Sequence, residues 1–299
     1  MGGNDMSLTI QAKHPLFVAE VSNVDLSVSV DDAILGEIKE ALNERAVLLF
    51  RGPKLTQAQQ IAFAERFGPL ESSNNVLSSS SRDRISSQLA DVSNLSASNE
   101  PLEQSDRRRM FGLGNQLWHT DSSFKRLPAK YSLLHAHSVC PIGGETQLVD
   151  TRAAYETLPE PMKTRLEGLV AEHSIFASRA KLGFTDFSED ERRALPPVHR
   201  ALVRVHAESG RKALYLASHA SHIIGWPVPE GRMLIHDLIE HATQPQFVYT
   251  HRWEEGDLLI WDNRCTLHRG RPFDENHRRD MRRATIEDHD PDVRDLRVA

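Results

Sequence analysis

The chain is 299 residues long, with 36 Lys plus Arg against 42 Asp plus Glu and a net charge of −6. A hydrophobic share of 39% with 26% charged residues is that of a globular chain, large enough for a buried core and neither disordered nor fibrous. The mild acidity speaks against a general nucleic-acid binder, no apolar run approaches the roughly 18 residues a membrane span needs, and Cys140 and Cys265 are too few for a disulfide framework.

In chain order, residues 31–45 read as a helix, with Asp31 as cap and Ile34, Leu35, Ile38, Ala41 and Leu42 on one face. Val47-Leu48-Leu49-Phe50 reads as a buried strand. Thr56-Gln57-Ala58-Gln59 has the form of a capping box and opens a second helix, ending near Gly68 and Pro69. Residues 72–106 are rich in Ser, Asn and Asp, and a stretch of that kind is expected to be a lid, a linker or disordered. Beyond Met110 the pattern is β. Tyr131, Leu133, His135, His137 and Val139 alternate with smaller residues, and strands are expected at 202–206, 213–218, 246–252 and 257–262. Helices are expected at 151–168 and 230–242. The reading is one domain over 1–299, mainly β with flanking helices, as an antiparallel sandwich or barrel. No basic-then-apolar leader is visible in MGGNDMSLTI, so the expected location is the cytoplasm.

Fifteen histidines are the unusual count. In Asn115-Gln116-Leu117-Trp118-His119-Thr120-Asp121, extended backbone turns residues two apart to the same side, so His119 and Asp121 can face one point. A distant histidine must complete a metal site, and His268 follows the strand ending in Trp261-Asp262-Asn263. Two histidines and one carboxylate on one face of an octahedral ion leave three open positions, the arrangement of non-haem Fe(II) oxygenases. His206-Ala207-Glu208 and His135-Ala136-His137 also fit short ligand patterns, so the spacing alone is weak. Arg279 and Arg283 follow His268, are four apart and share a face in a helix or a strand. Two guanidiniums of that kind suit two organic anions.

These segments, with HPLFVAEVSNVDL, FRGPKLTQAQQIAFAERFGPLE, GGETQLVD and HASHIIGWPV, resemble the Fe(II)- and 2-oxoglutarate-dependent dioxygenases of the taurine and 2,4-dichlorophenoxyacetate dioxygenase family, nearest to its phenoxyalkanoate branch. The resemblance implies a double-stranded β-helix, or jelly roll. It implies iron on His119, Asp121 and His268, with 2-oxoglutarate and O₂ as cosubstrates. Thr146 and Arg279 would bind 2-oxoglutarate. Arg283 would hold the substrate's carboxylate, and Asn115, His206, His219 and His222 would line the substrate pocket. The implied partner is a small anionic acid, with neither nucleic acid nor membrane, and the family's habit of assembly implies a homo-oligomer. The implied products are a phenol and glyoxylate, with succinate and CO₂. One departure is the absence of any lysine between Lys54 and Lys125, where relatives contact substrate through lysines.

Several of these residues also have plainer readings. Arg107-Arg108-Arg109 reads as a solvated charge run, Arg278 and Arg282 as turned away from the pocket, and Cys265 as packing. His135 and His137 read as hydrogen-bonded core residues. Two other functions compete: an alkylsulfonate dioxygenase of the taurine type releasing sulfite, and a cupin-like metal protein using His135 and His137. The second requires a Glu four or five residues after the second His, but Glu145 is the next one.

Overall fold

The computed structural model describes residues 8–72, 84–290 and 296. The amino-terminal part holds strands β1 (Thr9–Ala12) and β2 (Ala19–Ser22), helix α1 (Asp32–Arg45), β3 (Val47–Phe50), helix α2 (Gln57–Glu65) and the short β4 (Ala90–Asp91). Helix α3 (Arg107–Gly112) runs into a 3₁₀ turn (Leu113–Gln116), and the long β5 (Ala129–Ser138) follows. Then come β6 (Thr146–Asp150), α4 (Thr151–Glu156), α5 (Glu160–Leu166), β7 (Val170–His173), α6 (Ile175–Ala180), α7 (Glu189–Ala194), β8 (Val198–Ala201), β9 (Val203–Val205), β10 (Lys212–Leu214) and β11 (Ala220–Ile223). The chain closes with α8 (Val228–Ala242), a 3₁₀ turn (Pro245–Phe247), β12 (Val248–His251), β13 (Leu258–Asp262), β14 (Thr266–Gly270) and β15 (Asp280–Glu287).

A seven-stranded sheet in the order β1-β2-β3-β13-β5-β15-β4 forms one layer, antiparallel except for β2 against β3. Three-stranded sheets β12-β6-β14 and β11-β7-β8 and the hairpin β10-β9 complete the β structure of the described residues. Strand alternation divides the core. Leu48, Phe50, Leu133, Leu258, Ile260, Ala284 and Ile286 face α1 and α2, beside Leu42 and Phe63. Their neighbours Val47, Leu49, Leu134, Ala136, Leu259, Trp261 and Met281 face the other way and pack on Leu148 of β6. Successive side chains point to opposite faces, so Ser132 and Arg283 also belong to this second face, between the sheets.

Asp31 caps α1 by accepting from Ile34 N, and Thr56 with Gln59 closes the expected capping box of α2. The helix expected at 151–168 is instead two, α4 and α5. Pro159 stands at the break, because proline has no N–H and disfavours helical backbone in the residue before it. Strands at 213–218 and 246–252 shorten to β10 and β12, with Pro245 opening a 3₁₀ turn. Of the expected lid at 72–106, residues 73–83 lie outside the described residues. Residues beyond them are tied to the large sheet. Arg84 pairs with Asp91 and, at 3.0 Å, with Asp280, and β4 pairs with Arg282 and Arg283 of β15. Arg107–Arg109 are not a free charge run: they open α3 under the Asp106 cap and pair with Glu191, Asp106 and Glu275 respectively. Among the described residues no helix is long and apolar enough to cross a membrane.

Candidate metal centre

His119 and His268 face each other as an isolated antiparallel bridge. His119 N donates to His268 O at 2.9 Å and His268 N donates back to His119 O at 2.8 Å. Such a pair places both side chains on one side, and the imidazole centroids lie 4.2 Å apart. Asp121, two residues on, adds its carboxylate: His119 Nε2 is 3.8 Å from Oδ1 and His268 Nε2 is 3.5 Å from Oδ2. All three side chains are buried, and they form one of two groups among the described residues able to hold an ion.

The hydrogen bonds around them fit a metal. His119 Nδ1 lies 2.7 Å from Leu117 O, so Nδ1 carries the proton and Nε2 is left as a lone-pair donor. His268 Nδ1 is buried and without a partner. Burial pushes His119 down from the usual imidazole value despite Asp121, and burial together with His119 pushes His268 well below it. Both rings are therefore neutral, as ligands must be. For Asp121, burial alone would raise the carboxyl, but Arg283, the two imidazoles and the Ser132 hydroxyl outweigh it and hold it at about 2. The second group, His206, Asp262 and Cys265, is already saturated: His206 Nε2 is 3.0 Å from Asp262, and Arg264 grips the same carboxylate at 2.6 Å.

Asp121 is fixed from behind by Asn263. Asn263 Oδ1 accepts from Asp121 N at 3.2 Å and from Trp261 Nε1 at 3.0 Å. Asn263 Nδ2 donates to Ser132 Oγ at 2.9 Å, and that hydroxyl donates to Asp121 Oδ2 at 2.7 Å. Neither Asn263 nor Ser132 was singled out from the sequence. The only signals were the Asn two residues beyond Trp261 and the parity of Ser132 on β5.

Arg279 is buried without a carboxylate partner among the described residues. Its Nη1 donates to Val92 O at 3.0 Å, its Nη2 lies 3.5 Å from Gly144 O, and Phe273 lies under its plane. Burial lowers this guanidinium to about 10. It borders a cavity of about 120 Å³ with Cys140, Gly143, Gly144 and Trp253. Gly143 at φ 78° has no room for a Cβ against Pro272 O, which explains the Gly-Gly of this turn. Thr146, two residues beyond Gly144, is buried and accepts from Trp253 Nε1 at 3.0 Å.

The expected pocket residues divide. Arg283 reaches the metal cluster, with Nη1 on Asp121 and Nε on Thr285 at 3.2 Å. His219 is buried beside it, its ring 6.0 Å from that of His119 and 4.7 Å from Phe124. Asn115 lies half-buried in the 3₁₀ turn packed against β14. His222 is half-buried on β11, bonded to Ser221 and 3.7 Å from Glu172. His206 is not brought to the cluster, because both its ring nitrogens are committed, Nδ1 to Ser209 Oγ at 2.8 Å and Nε2 to Asp262. His135 and His137 bond to each other at 3.1 Å on the opposite face of β5, with His135 also on Pro53 O. Of the two arginines expected to turn away, Arg282 pairs with Asp280, and Arg278 reaches Asn99 O.

Residues 9–285 match the family described as "Taurine catabolism dioxygenase TauD, TfdA family". The chain is 49% identical over 283 residues to an "Alpha-ketoglutarate-dependent 2,4-dichlorophenoxyacetate dioxygenase" of Cupriavidus pinatubonensis, covering 95% of this chain and 99% of the relative. It is 37% identical over 273 residues to an "(S)-phenoxypropionate/alpha-ketoglutarate-dioxygenase" of Sphingobium herbicidovorans, covering 89% and 90%. Its fold is similar to the crystal structure of AAD-2 in complex with Mn(II) and N-oxalylglycine, with a TM-score of 0.89 and 46% identity over 95% of this chain and 99% of that one. The chain belongs to the TauD, TfdA family.

Proposed function

We propose that this family member is an Fe(II)- and 2-oxoglutarate-dependent dioxygenase acting on phenoxyalkanoic acids such as 2,4-dichlorophenoxyacetate. One oxygen atom of O₂ enters succinate as 2-oxoglutarate loses CO₂. The other hydroxylates the carbon between ether oxygen and carboxylate, and the resulting hemiacetal separates into a phenol and glyoxylate. The observation that carries the reading is the buried His119–Asp121–His268 cluster in a chain half identical, nearly end to end, to a protein named for that activity. The same reading makes the paired sheets a double-stranded β-helix.

Iron held by His119, Asp121 and His268 would supply the chemistry of O₂ activation. The chain's own residues do the rest. His119 and His268 are kept neutral, and Asp121 is kept ionised by Arg283 and aimed by Ser132. Arg279 is a buried cation beside a small cavity, suited to the distal carboxylate of 2-oxoglutarate, with Thr146 on the neighbouring strand. Arg283, at the metal end, takes the carboxylate of the acid and thereby points the adjacent C–H at the metal. Asn115, His219 and His222 are assigned to the pocket wall. No side chain has to move a proton in the oxidation; the residues fix distances and replace water with oriented charge.

The test is a substrate panel with Fe(II), ascorbate and 2-oxoglutarate in air. Phenol released from phenoxyacetates in step with succinate supports the reading. Sulfite released from taurine, with no phenol, overturns it.

A further inference from the structure

We propose that Arg179 is a second substrate-binding cation, receiving an anionic or strongly hydrogen-bond-accepting group at the end of the acid remote from the oxidised carbon. This rests on the reading above and deepens it by naming the substrate class.

Arg179 sits on α6 and is 3% exposed. Among the described residues no carboxylate pairs with it, and its buried Nε has no hydrogen-bond partner. Nη1 donates to the neighbouring Ser178 Oγ at 3.2 Å, and Phe111 lies 4.2 Å from the guanidinium. Burial, with nothing to oppose it, lowers the group to about 10. An unpaired buried charge is costly. A ligand that brings a counter-charge to this site would offset that cost.

Its place is beside the metal cluster but one layer out. Ser178 donates its single hydrogen to Ile175 O at 2.7 Å, so its oxygen accepts from both Arg179 Nη1 and His219 Nδ1, the latter at 2.9 Å. His219 in turn stands edge-on to His119. The guanidinium's charge acts on both rings. On its other side it lies against Gly114, where a Cβ would collide with the guanidinium carbon; Asn115 is the next residue. The carbon oxidised in the proposed reaction is one bond from its carboxylate, which therefore belongs near the metal and Arg283. Arg179, separated from the ligands by His219, can only meet a group several bonds away, on the ring. The adjoining wall is aromatic, with Phe111 on Arg179 and Phe124 on His219. A phenoxyacetate whose ring carries a carboxylate fits a cation at that end better than a plain phenyl ring does.

The experiment compares kcat/KM for glyoxylate release from phenoxyacetate and from its ring-carboxylated isomers. The wild type is expected to favour at least one ring acid tenfold or more. Arg179→Met should bring that ratio to about one or below, and Arg179→Lys should keep part of it. Gly114→Ala keeps the charge but pushes the guanidinium aside, and should also lower the ratio. A guanidinium with only a structural role would lower both substrates alike and leave the ratio untouched. The proposal is overturned if the wild type shows no preference, or if the preference survives in Arg179→Met. If the methionine variant does not fold, the wild-type ratio and Gly114→Ala decide. Glyoxylate from phenoxyacetate without a ring-acid preference would overturn this inference alone, whereas no glyoxylate from any member would overturn the parent reading as well.

Discussion

Asp121 and Asn263 are joined twice, once directly through the Asp121 N–H and once through the Ser132 hydroxyl, so one buried amide fixes both the backbone and the carboxylate of a candidate iron ligand. Partners of this kind set the orientation and basicity of a ligand. Asn263→Leu is expected to weaken metal binding by about 10- to 100-fold, the usual cost of losing such a partner. Titrating the apoprotein with Mn(II) or Co(II) and following the ion directly would measure it. Unchanged affinity in a folded variant would mean that the pair does not tune the metal.

Arg279 has its donors on two backbone carbonyls and, among the described residues, no carboxylate partner. Removing a charge-assisted, bidentate contact costs about 2–5 kcal/mol of binding, so Arg279→Met should raise the 2-oxoglutarate Kd by about 30-fold or more. Anaerobic Fe(II) plus 2-oxoglutarate absorbance gives the Kd without turnover. Wild-type affinity would remove Arg279 from its assigned role.

Both ring nitrogens of His206 have partners within the fold, Nδ1 in Ser209 Oγ and Nε2 in Asp262. His206→Leu is expected to cost about 2 kcal/mol of stability through a buried carboxylate left short of one partner, with KM for the acid within about twofold of wild type. Urea unfolding set beside steady-state kinetics separates the two effects, and a tenfold rise in KM at unchanged stability would return His206 to the pocket.

Asp280 ties β15 to Arg84 and Arg282, and its side chain is 2% exposed. Burial opposes ionisation, but the two arginines outweigh it and depress the carboxyl. A depressed carboxyl stabilises the fold above the unfolded value near 4, and that contribution fades as pH falls through the folded value. Asp280→Asn should therefore lose about 3 kcal/mol at pH 7 and show a flatter loss of stability between pH 5 and 3 than the wild type. Parallel urea curves at those pH values check this; equal slopes would refute it.

Local chemistry made much of the frame legible. The Asp31 cap, the Thr56 box and the all-apolar Val47–Phe50 run carry their own signals, and His119 and Asp121 stand two apart on extended backbone. What escaped depends on distant partners. Nothing near Arg107–Arg109 announces Glu191 or Glu275, so three arginines looked solvated when each has a carboxylate. Two residues apart on β15, Arg283 and Met281 share a face, yet only β5 alongside shows that this face looks at Asp121. Asn263 and Arg179 were invisible for the same reason: a polar residue reveals its job only through what the fold brings beside it. For His206 the resemblance implies a place in the pocket, and nothing in the sequence shows that both ring nitrogens have partners in Ser209 and Asp262.

The backbone bridge between His119 and His268 has a kinetic meaning as well. It closes a loop of about half the chain, and its second partner lies on β14, near the carboxyl end. Contacts of such long sequence separation form late and slowly, while the first two ligands are made early in synthesis. A growing or truncated chain thus has no complete site, and tight iron uptake is confined to molecules whose sheets have already closed. Metal occupancy in this protein is consequently a readout of finished folding, and adding Fe(II) should raise the unfolding midpoint rather than the refolding rate.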